Sequence, residues 1–498
     1  MGLASIFYSR GLLTFVLLFI SDTETCYISY TTKICNGNTS NVSVSALSTA
    51  HNGITTLTIA NTNLSELQEG NISLPFFPRL TTLHLYSNGI RVFSNYIISN
   101  NIAIKTLSLQ ANKLKVIPVD ALKHLPNLTY LDLSRNEITR TESFVFHWNT
   151  LLEYLYLKGN GIHDIQRHAF FSLVNVKILI LSKNFINYIP LEELKSLRRL
   201  ETLNLSHNNI SMLLKANGGF SLSLQFLYLT QNKLRFIAGH ALNVPRGLIL
   251  LDAERNHISQ ISSLAFGNDS INLISLNLNH NELVTIPVFL LRRLPKLKSF
   301  GIAWNRVTVV PTEAFKGNSL LKYINLGWNR IHFVHEMSLT GLQSLQHLDL
   351  RFNNISSLPS RLFNPVGDFS LLLGGNNFSC NCEIRFLQEW LRKTIFFAED
   401  LFCLIAGFEN HTNLISFEFS DICVDETTSV EVSTDVMMTR TPSKPLSILR
   451  NWKVAAGVFT VSVGLLFVVV LKAIPKKLER KSTENRTPGG RHETSDAQ

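Results

Sequence analysis

Hydrophobic and polar positions follow one recurring phrase along most of this chain. It reads "LTYLDLSRNEI" at 128–138, "LEYLYLKGNGI" at 152–162, "LETLNLSHNNI" at 200–210 and "LQHLDLRFNNI" at 345–355. The phrases share an eleven-position frame, L-x-x-L-x-L-x-x-N-x-L, starting at Ile54, Leu80, Ile104, Leu128, Leu152, Val176, Leu200, Leu224, Leu248, Leu273, Leu297, Leu321 and Leu345. A degenerate last copy ends in "LLLGGNNF" at 371–378. Most starts lie 24 residues apart, with single exceptions of 26, 25 and 23. A fixed period of this size predicts one solenoid, not the three or so domains that 498 residues would otherwise suggest.

The centre of the frame alternates with period 2, as a half-buried strand does. Frame positions 4 and 6 are expected to point inward and positions 3, 5, 7 and 8 outward. Stacked copies then form a parallel sheet on the concave face of an α/β solenoid of about 14 repeats. Asparagine at position 9 recurs from Asn88 to Asn376, and only the first copy departs, with Thr62. A side-chain amide both donates and accepts, so it can satisfy backbone groups at a buried turn. Phe170, Phe266, Phe315 and Phe363, in the second half of their copies, are expected as apolar anchors on the convex side.

Both ends of a solenoid need covers, because an open end exposes core leucines. Cys26 and Cys35 precede the first repeat; Cys380, Cys382, Cys403 and Cys423 follow the last. Six cysteines allow fifteen pairings, and this placement favours local closure at each end. An oxidising context argues against zinc.

That context comes from the termini. Arg10 followed by "GLLTFVLLFI" reads as a secretory signal over 1–25, too short to span a bilayer. The run "VAAGVFTVSVGLLFVVVLKAI" at 454–474 reads as a single transmembrane helix. Lys472, Lys476, Lys477, Arg480 and Lys481 follow it and predict a cytoplasmic C-terminus. The organisation expected is a signal at 1–25, an N-terminal cap at 26–53, repeats at 54–378, a C-terminal cap at 379–424, a stalk at 425–453, the span, and a short cytoplasmic tail at 475–498 that holds no folded signalling domain. Sequons at Asn38, Asn41, Asn63, Asn71, Asn127, Asn204, Asn209, Asn268, Asn354, Asn377 and Asn410 fit an extracellular glycoprotein. Asn63, Asn209, Asn354 and Asn377 all fall at frame position 10, so one rim of the coil is expected to carry sugar.

The repeat phrases, and the cysteines at both ends, resemble the leucine-rich repeats of extracellular proteins in their 24-residue form. The resemblance covers about residues 52–378. The spacing C-x-C-x20-C-x19-C resembles the C-terminal flank of that superfamily. The likeness implies a horseshoe with the bridges Cys380–Cys403 and Cys382–Cys423, and Cys26–Cys35 in the N-terminal cap. More narrowly, the repeats resemble a Toll-like receptor ectodomain, and the expected absence of a cytoplasmic signalling domain departs from that family. The resemblance implies a plasma-membrane type I receptor or co-receptor of innate-immune type. The alternative is a cell-adhesion protein or an organiser of synapse or matrix.

The formal charge of +10 changes little. Seven Lys/Arg against four Asp/Glu after Leu471 supply +3 of it, and the rest is spread thinly. No H-E-x-x-H, G-x-S-x-G or P-loop appears, so neither enzyme activity nor a cofactor or metal is expected. No RNA-binding signature is present, and nucleic acid is not the expected ligand. The partners expected are a protein or microbial ligand on the concave face, and a second copy or a signalling co-receptor.

The candidate binding residues stand at outward positions. Position 8 holds Trp304, Trp328 and Phe352 in consecutive repeats, with Tyr323 close by. Strands about 4.8 Å apart should stack these rings as a column, and exposed aromatics are common binding anchors. Tyr130, Tyr154 and Tyr156 form a second group. Other concave positions, such as Thr82, Ser108, Ser182 and Asn277, are small or polar. Asn204, between the two groups, carries a sequon whose glycan would keep them apart. The competing expectation is that the column packs under the C-terminal cap or against its own neighbours.

Overall fold

The computed structural model describes residues 26–29, 32–36, 53–62, 77–98, 101–213, 223–242, 247–267, 272–363, 369–393, 401–405, 411–419 and 423. The predicted signal, stalk, span and tail lie outside them, as do sequon residues Asn38, Asn41, Asn63, Asn71, Asn268 and Asn410. Among the described residues no helix is long and apolar enough to cross a membrane.

The period-2 core of each copy folds as a strand of a 16-stranded sheet whose order follows the chain. An antiparallel hairpin, Cys26–Ser29 with Thr32–Asn36, opens the sheet, and from Thr32–Asn36 onward every pairing is parallel. The register is constant: Leu107 faces Leu131, which faces Leu155, and Tyr130 faces Tyr154. The leucines at positions 4 and 6 are buried along the whole solenoid, which makes about 13 turns. Cys26 lies directly opposite Cys35 in the hairpin, and their side chains fall outside the description.

Asparagine 9 works as the frame implies. Asn208 Nδ2 donates to the Leu181 carbonyl of the preceding repeat at 3.0 Å and to the Leu205 carbonyl of its own at 2.9 Å. Its Oδ1 accepts from the Ile186 N–H at 3.0 Å. The same pattern runs from Asn112 to Asn376. At the first copy Thr62 donates its hydroxyl and its N–H to Asn88 Oδ1. No earlier repeat of the frame exists there to be bridged, so a donor alone suffices.

The return segments take two forms. Short parallel pairs join Arg140–Thr141 with Asp164–Ile165, Phe236–Ile237 with Gln260–Ile261, and Val309–Val310 with Phe333–Val334. Four-residue helices Val119–Leu122, Leu191–Leu194 and Val288–Leu291 instead follow Pro118, Pro190 and Pro287, whose fixed φ presets a helical turn. Phe170, Phe266 and Phe315 are buried as anchors, whereas the Phe363 side chain lies outside the description. A second set of buried amides was not legible in the frame. Asn149 Nδ2 donates to the Leu122 and Leu125 carbonyls, and Asn318 Nδ2 to those of Leu291 and Leu294. Each closes the carbonyl end of a short helical return.

At the C-terminal end the disulfides are Cys380–Cys403 and Cys382–Cys423. The helix Arg385–Lys393 buries Leu387 and Leu391 over the last repeat. Buried Gln388 donates to the carbonyls of Leu414 at 2.7 Å and Phe417 at 2.6 Å. Phe369 and Trp390, with ring centroids 5.6 Å apart, are the aromatic pair under this cap.

Candidate functional site

Frame position 8 is left-handed in every repeat: φ is 53° at His280, 57° at Trp304, 54° at Trp328 and 54° at Phe352. The turn aims each position-8 N–H at the position-7 carbonyl of the next repeat, as Trp304 N to Gly327 O at 3.0 Å and Trp328 N to Arg351 O at 2.8 Å. It also swings each side chain clear of the strand. Left-handed backbone costs a non-glycine residue roughly 1–2 kcal/mol and is worse for β-branched side chains. The row holds no β-branched residue, and only Gly159 and Gly375 relieve the cost. The left-handed turn belongs to the repeat itself, and at three consecutive copies it displays a large aromatic.

These rings stack. Trp304 and Trp328 lie 4.1 Å apart at 8°, and Trp328 and Phe352 lie 3.8 Å apart at 20°. His280 adds a fourth ring, 5.0 Å from Trp304 at 11°. Burial lowers its pKa, so it stacks as a neutral imidazole near pH 7. The far end closes on Gly375, where a Cβ would stand 2.5 Å from the Phe352 ring. The column does not pack under the cap: Trp304 stays 45% exposed and Trp328 41%. It does pack against its own neighbours, so both faces of Trp304 and of Trp328 are covered by rings.

A second stack, Tyr323 on His347 at 5.0 Å and 8°, stands at position 3 of the same strands. Between the two stacks the floor is low, with Gly301, Ala303, Gly327 and Gly374. The Asn279 amide occupies the space where a Cβ on Gly301 would stand, and its Oδ1 accepts from Ala303 N at 2.7 Å. Asp349 Oδ1 accepts from the N–H and Nε of Arg351, and Oδ2 from its Nη2 at 2.8 Å, which holds the guanidinium against the carboxylate.

Several concave positions serve the backbone. Asp132, Asn204, Asp252, Asn277, Asn325 and Asp349, all at position 5, accept from the N–H two residues on. Asn277 is therefore a cap. Ser108 and Ser182, expected on the open face, are buried, because side chains this short do not reach past the groups around them.

The tyrosine group assembles as expected. Tyr130 lies 6.2 Å from Tyr154 and 5.2 Å from Tyr156. Burial, then the charge of Asp132, pushes the Tyr130 phenol up to about 12. Asn204 stands between this group and the column with its Oδ1 engaged by Ser206 N at 2.9 Å.

Asp252 gives a pH signature. Burial raises its pKa from 3.8 to about 6 despite hydrogen bonds from Glu254 N and from the Thr230 and Asn277 side chains. A carboxyl raised on folding binds its proton more tightly in the native state. Its contribution is thus most favourable below about pH 4 and is lost as pH rises through 6. Asp252→Asn keeps the cap, as Asn204, Asn277 and Asn325 show, and removes the buried charge. The variant should be more stable than the parent at pH 7.5 by roughly 1–3 kcal/mol and equal to it at pH 4. Denaturant midpoints at the two pH values measure this, and a pH-independent difference would refute it.

Reasoning from the frame missed another surface. In the return segments Phe144 stacks on His168 at 5.3 Å, and Phe171 meets Phe144 edge-on at 6.1 Å. Trp148, 58% exposed, meets His147 at 5.1 Å. The available signal was the crowding of extra aromatics around the buried anchors Phe146 and Phe170 in "TESFVFHWNT" and "QRHAFFSLVN". No cluster of His, Cys, Asp or Glu among the described residues could hold a metal ion.

The chain is thus a parallel-sheet solenoid with an asparagine ladder and an exposed aromatic column. The leucine rich repeat family model matches residues 78–138, 102–162, 150–210 and 295–355. None of the curated proteins matches the sequence. Among solved structures the chain is similar to a leucine-rich repeat protein of Leptospira interrogans, with 20% identity, TM-score 0.51, and coverage of 71% of this chain and 90% of that one. It is similar to Toll in the Drosophila Toll–Spatzle complex, with 18% identity, TM-score 0.58, and coverage of 79% and 65%. It is also similar to the receptor of the TLR13–ssRNA13 complex, with 21% identity, TM-score 0.52, and coverage of 77% and 66%. This chain thus spans about two thirds of the length of those two receptors. At these identities the likeness is one of fold.

Proposed function

We propose that this chain is a single-pass type I receptor or co-receptor of the plasma membrane that captures a protein ligand on the open face of its repeat sheet. The carrying observation is the stack His280–Trp304–Trp328–Phe352 held on left-handed backbone. Ring edges, not faces, are on offer. Covered faces deny a base or a cation the platform it stacks on, whereas ring edges still offer apolar surface to a protein. The Toll–Spatzle complex, a hub in Drosophila development and innate immunity, supports a protein ligand and an innate-immune setting; TLR13 with ssRNA13 stands for the nucleic-acid reading that the stacked column disfavours. Glycans on Asn127, Asn204, Asn209, Asn354 and Asn377 belong to the same proposal; the one on Asn204 leaves the sheet at position 5 and divides the tyrosines from the column there, without standing in the position-8 row.

The test is Trp304→Ser with Trp328→Ser in the full chain on cells, tagged after Thr25. Normal display with capture of the ligand, or of a second copy, reduced at least tenfold is the expected result. Undiminished capture moves the site to Tyr154 and Tyr156, and a tag signal seen only after permeabilisation overturns the surface placement. The adhesion or organiser alternative is favoured by the exposed Phe144–Trp148–Phe171 surface, because a second aromatic patch in the return segments lets one chain join two partners.

A further inference from the structure

The row at frame position 8 changes character along its length. Its middle reads Arg135, Gly159, Lys183, His207, Gln231 and Arg255; its last part is the ring column from His280 to Phe352. Lys158, at position 7, joins the first part, and Arg306 and Arg330, at position 10, stand beside the rings. Arg255 pairs with Glu254 at 3.4 Å and Arg306 with Glu282 at 3.1 Å. Arg135, Lys158, Lys183 and Arg330 are exposed and form no ion pair among the described residues. His207 reports the resulting field. Burial lowers its pKa, and Lys183, Lys158 and Arg255 lower it further, so the ring is uncharged among cations.

We infer that the occupant of this row is an acidic protein surface, carboxylates over Arg135–Arg255 and apolar side chains over Trp304–Phe352. The inference rests on the protein-capture reading above and adds the ligand's chemistry and direction. Arg135 and Arg255 are five repeats apart and Arg255 and Phe352 four, so at about 4.8 Å per strand the row is roughly 43 Å long. An extended segment of about 13 residues, or one face of a small domain, covers that length. The unpaired charges at positions 7 and 8, Arg135, Lys158 and Lys183, are all positive and share the row with an apolar strip, which is the complementarity that sets orientation and on-rate in protein pairs. A uniform polyanion meets only the first part of the row, since the stacked rings leave it no faces.

The probes are three peptides of that length. The first is a block peptide, glutamates in its first half and leucines and phenylalanines in its second; the others are an all-acidic peptide and a scrambled version of the first. A heparin oligosaccharide and a single-stranded oligonucleotide serve as polyanion controls, all on the full displayed chain. The block peptide should bind at least tenfold tighter than the other two peptides and the controls. Arg135→Glu with Lys183→Glu should weaken it about tenfold at 50 mM salt and much less at 500 mM. Loss of binding in Trp304→Ser/Trp328→Ser with no effect of the charge reversal overturns this inference and leaves the capture reading standing. No effect of either pair of substitutions overturns both. Binding of the all-acidic peptide or the oligonucleotide as tight as that of the block peptide also overturns the inference.

Discussion

Replacing Asn208 with alanine should lower the stability of the solenoid by roughly 2–5 kcal/mol. The buried Asn208 amide donates to the carbonyls of Leu181 and Leu205 and accepts from the Ile186 N–H. Alanine strands the Ile186 N–H where water does not reach, at about 1–3 kcal/mol, and takes one of two donors from each of the Leu181 and Leu205 carbonyls, which keep Asn184 Nδ2 and Asn232 Nδ2, at about 0.5–1.5 kcal/mol each. Aspartate should be no better, because it presents acceptors to two carbonyls. Asn376 makes matching bonds to Leu350, Leu373 and Ile355 but is only part-buried. There water can take over, and Asn376→Ala should cost less than about 2 kcal/mol. Chemical denaturation followed by tryptophan fluorescence compares the two. Equal losses would mean that the ladder acts through something other than burial.

Cys380→Ser and Cys403→Ser should each destabilise the C-terminal cap by about 2–5 kcal/mol, and the double mutant should be no worse than either single one. Both sulfurs are buried, and their bridge ties the exit of the last repeat to the strand Phe402–Leu404. Serine releases a loop closed over a separation of 23 residues and leaves a buried hydroxyl facing a thiol. If the surface placement is right, the three variants should also be retained inside the cell to the same degree. Additive losses in the double mutant, or normal midpoints in either single one, would count against a shared bridge.

The sheet, the ladder and the ring column were legible because a 24-residue period puts equal frame positions one strand spacing apart. Trp304, Trp328 and Phe352 had to be neighbours once the register was known, and their centroids lie 3.8 to 4.1 Å apart. The same logic places His280 on Trp304. Its signal is masked by His207, which shares the frame position but has Lys183 and Gln231 beside it and stacks on no ring among the described residues. What the frame hides lies outside its eleven positions. The choice of strand or helix in each return, the amides of Asn149 and Asn318, and the surface around Phe144 and Trp148 depend on three-dimensional closure rather than alternation. Ser108 and Ser182 lie deeper than alternation predicts because a side chain this short does not reach past the backbone and side chains around it.

The left-handed row is separable from the rest of the molecule. Its backbone bonds are made whatever side chain it bears, and the core leucines sit two and four residues upstream of it. Specificity can therefore drift codon by codon along this strip while the scaffold stays under independent selection, provided β-branched residues are kept out. Length changes come only in whole units: duplicating the repeat that begins at Leu321 preserves every leucine and asparagine contact yet alters the spacing of everything the strip displays. Such a chain evolves as a printed tape does, with its letters free to change and its pitch fixed.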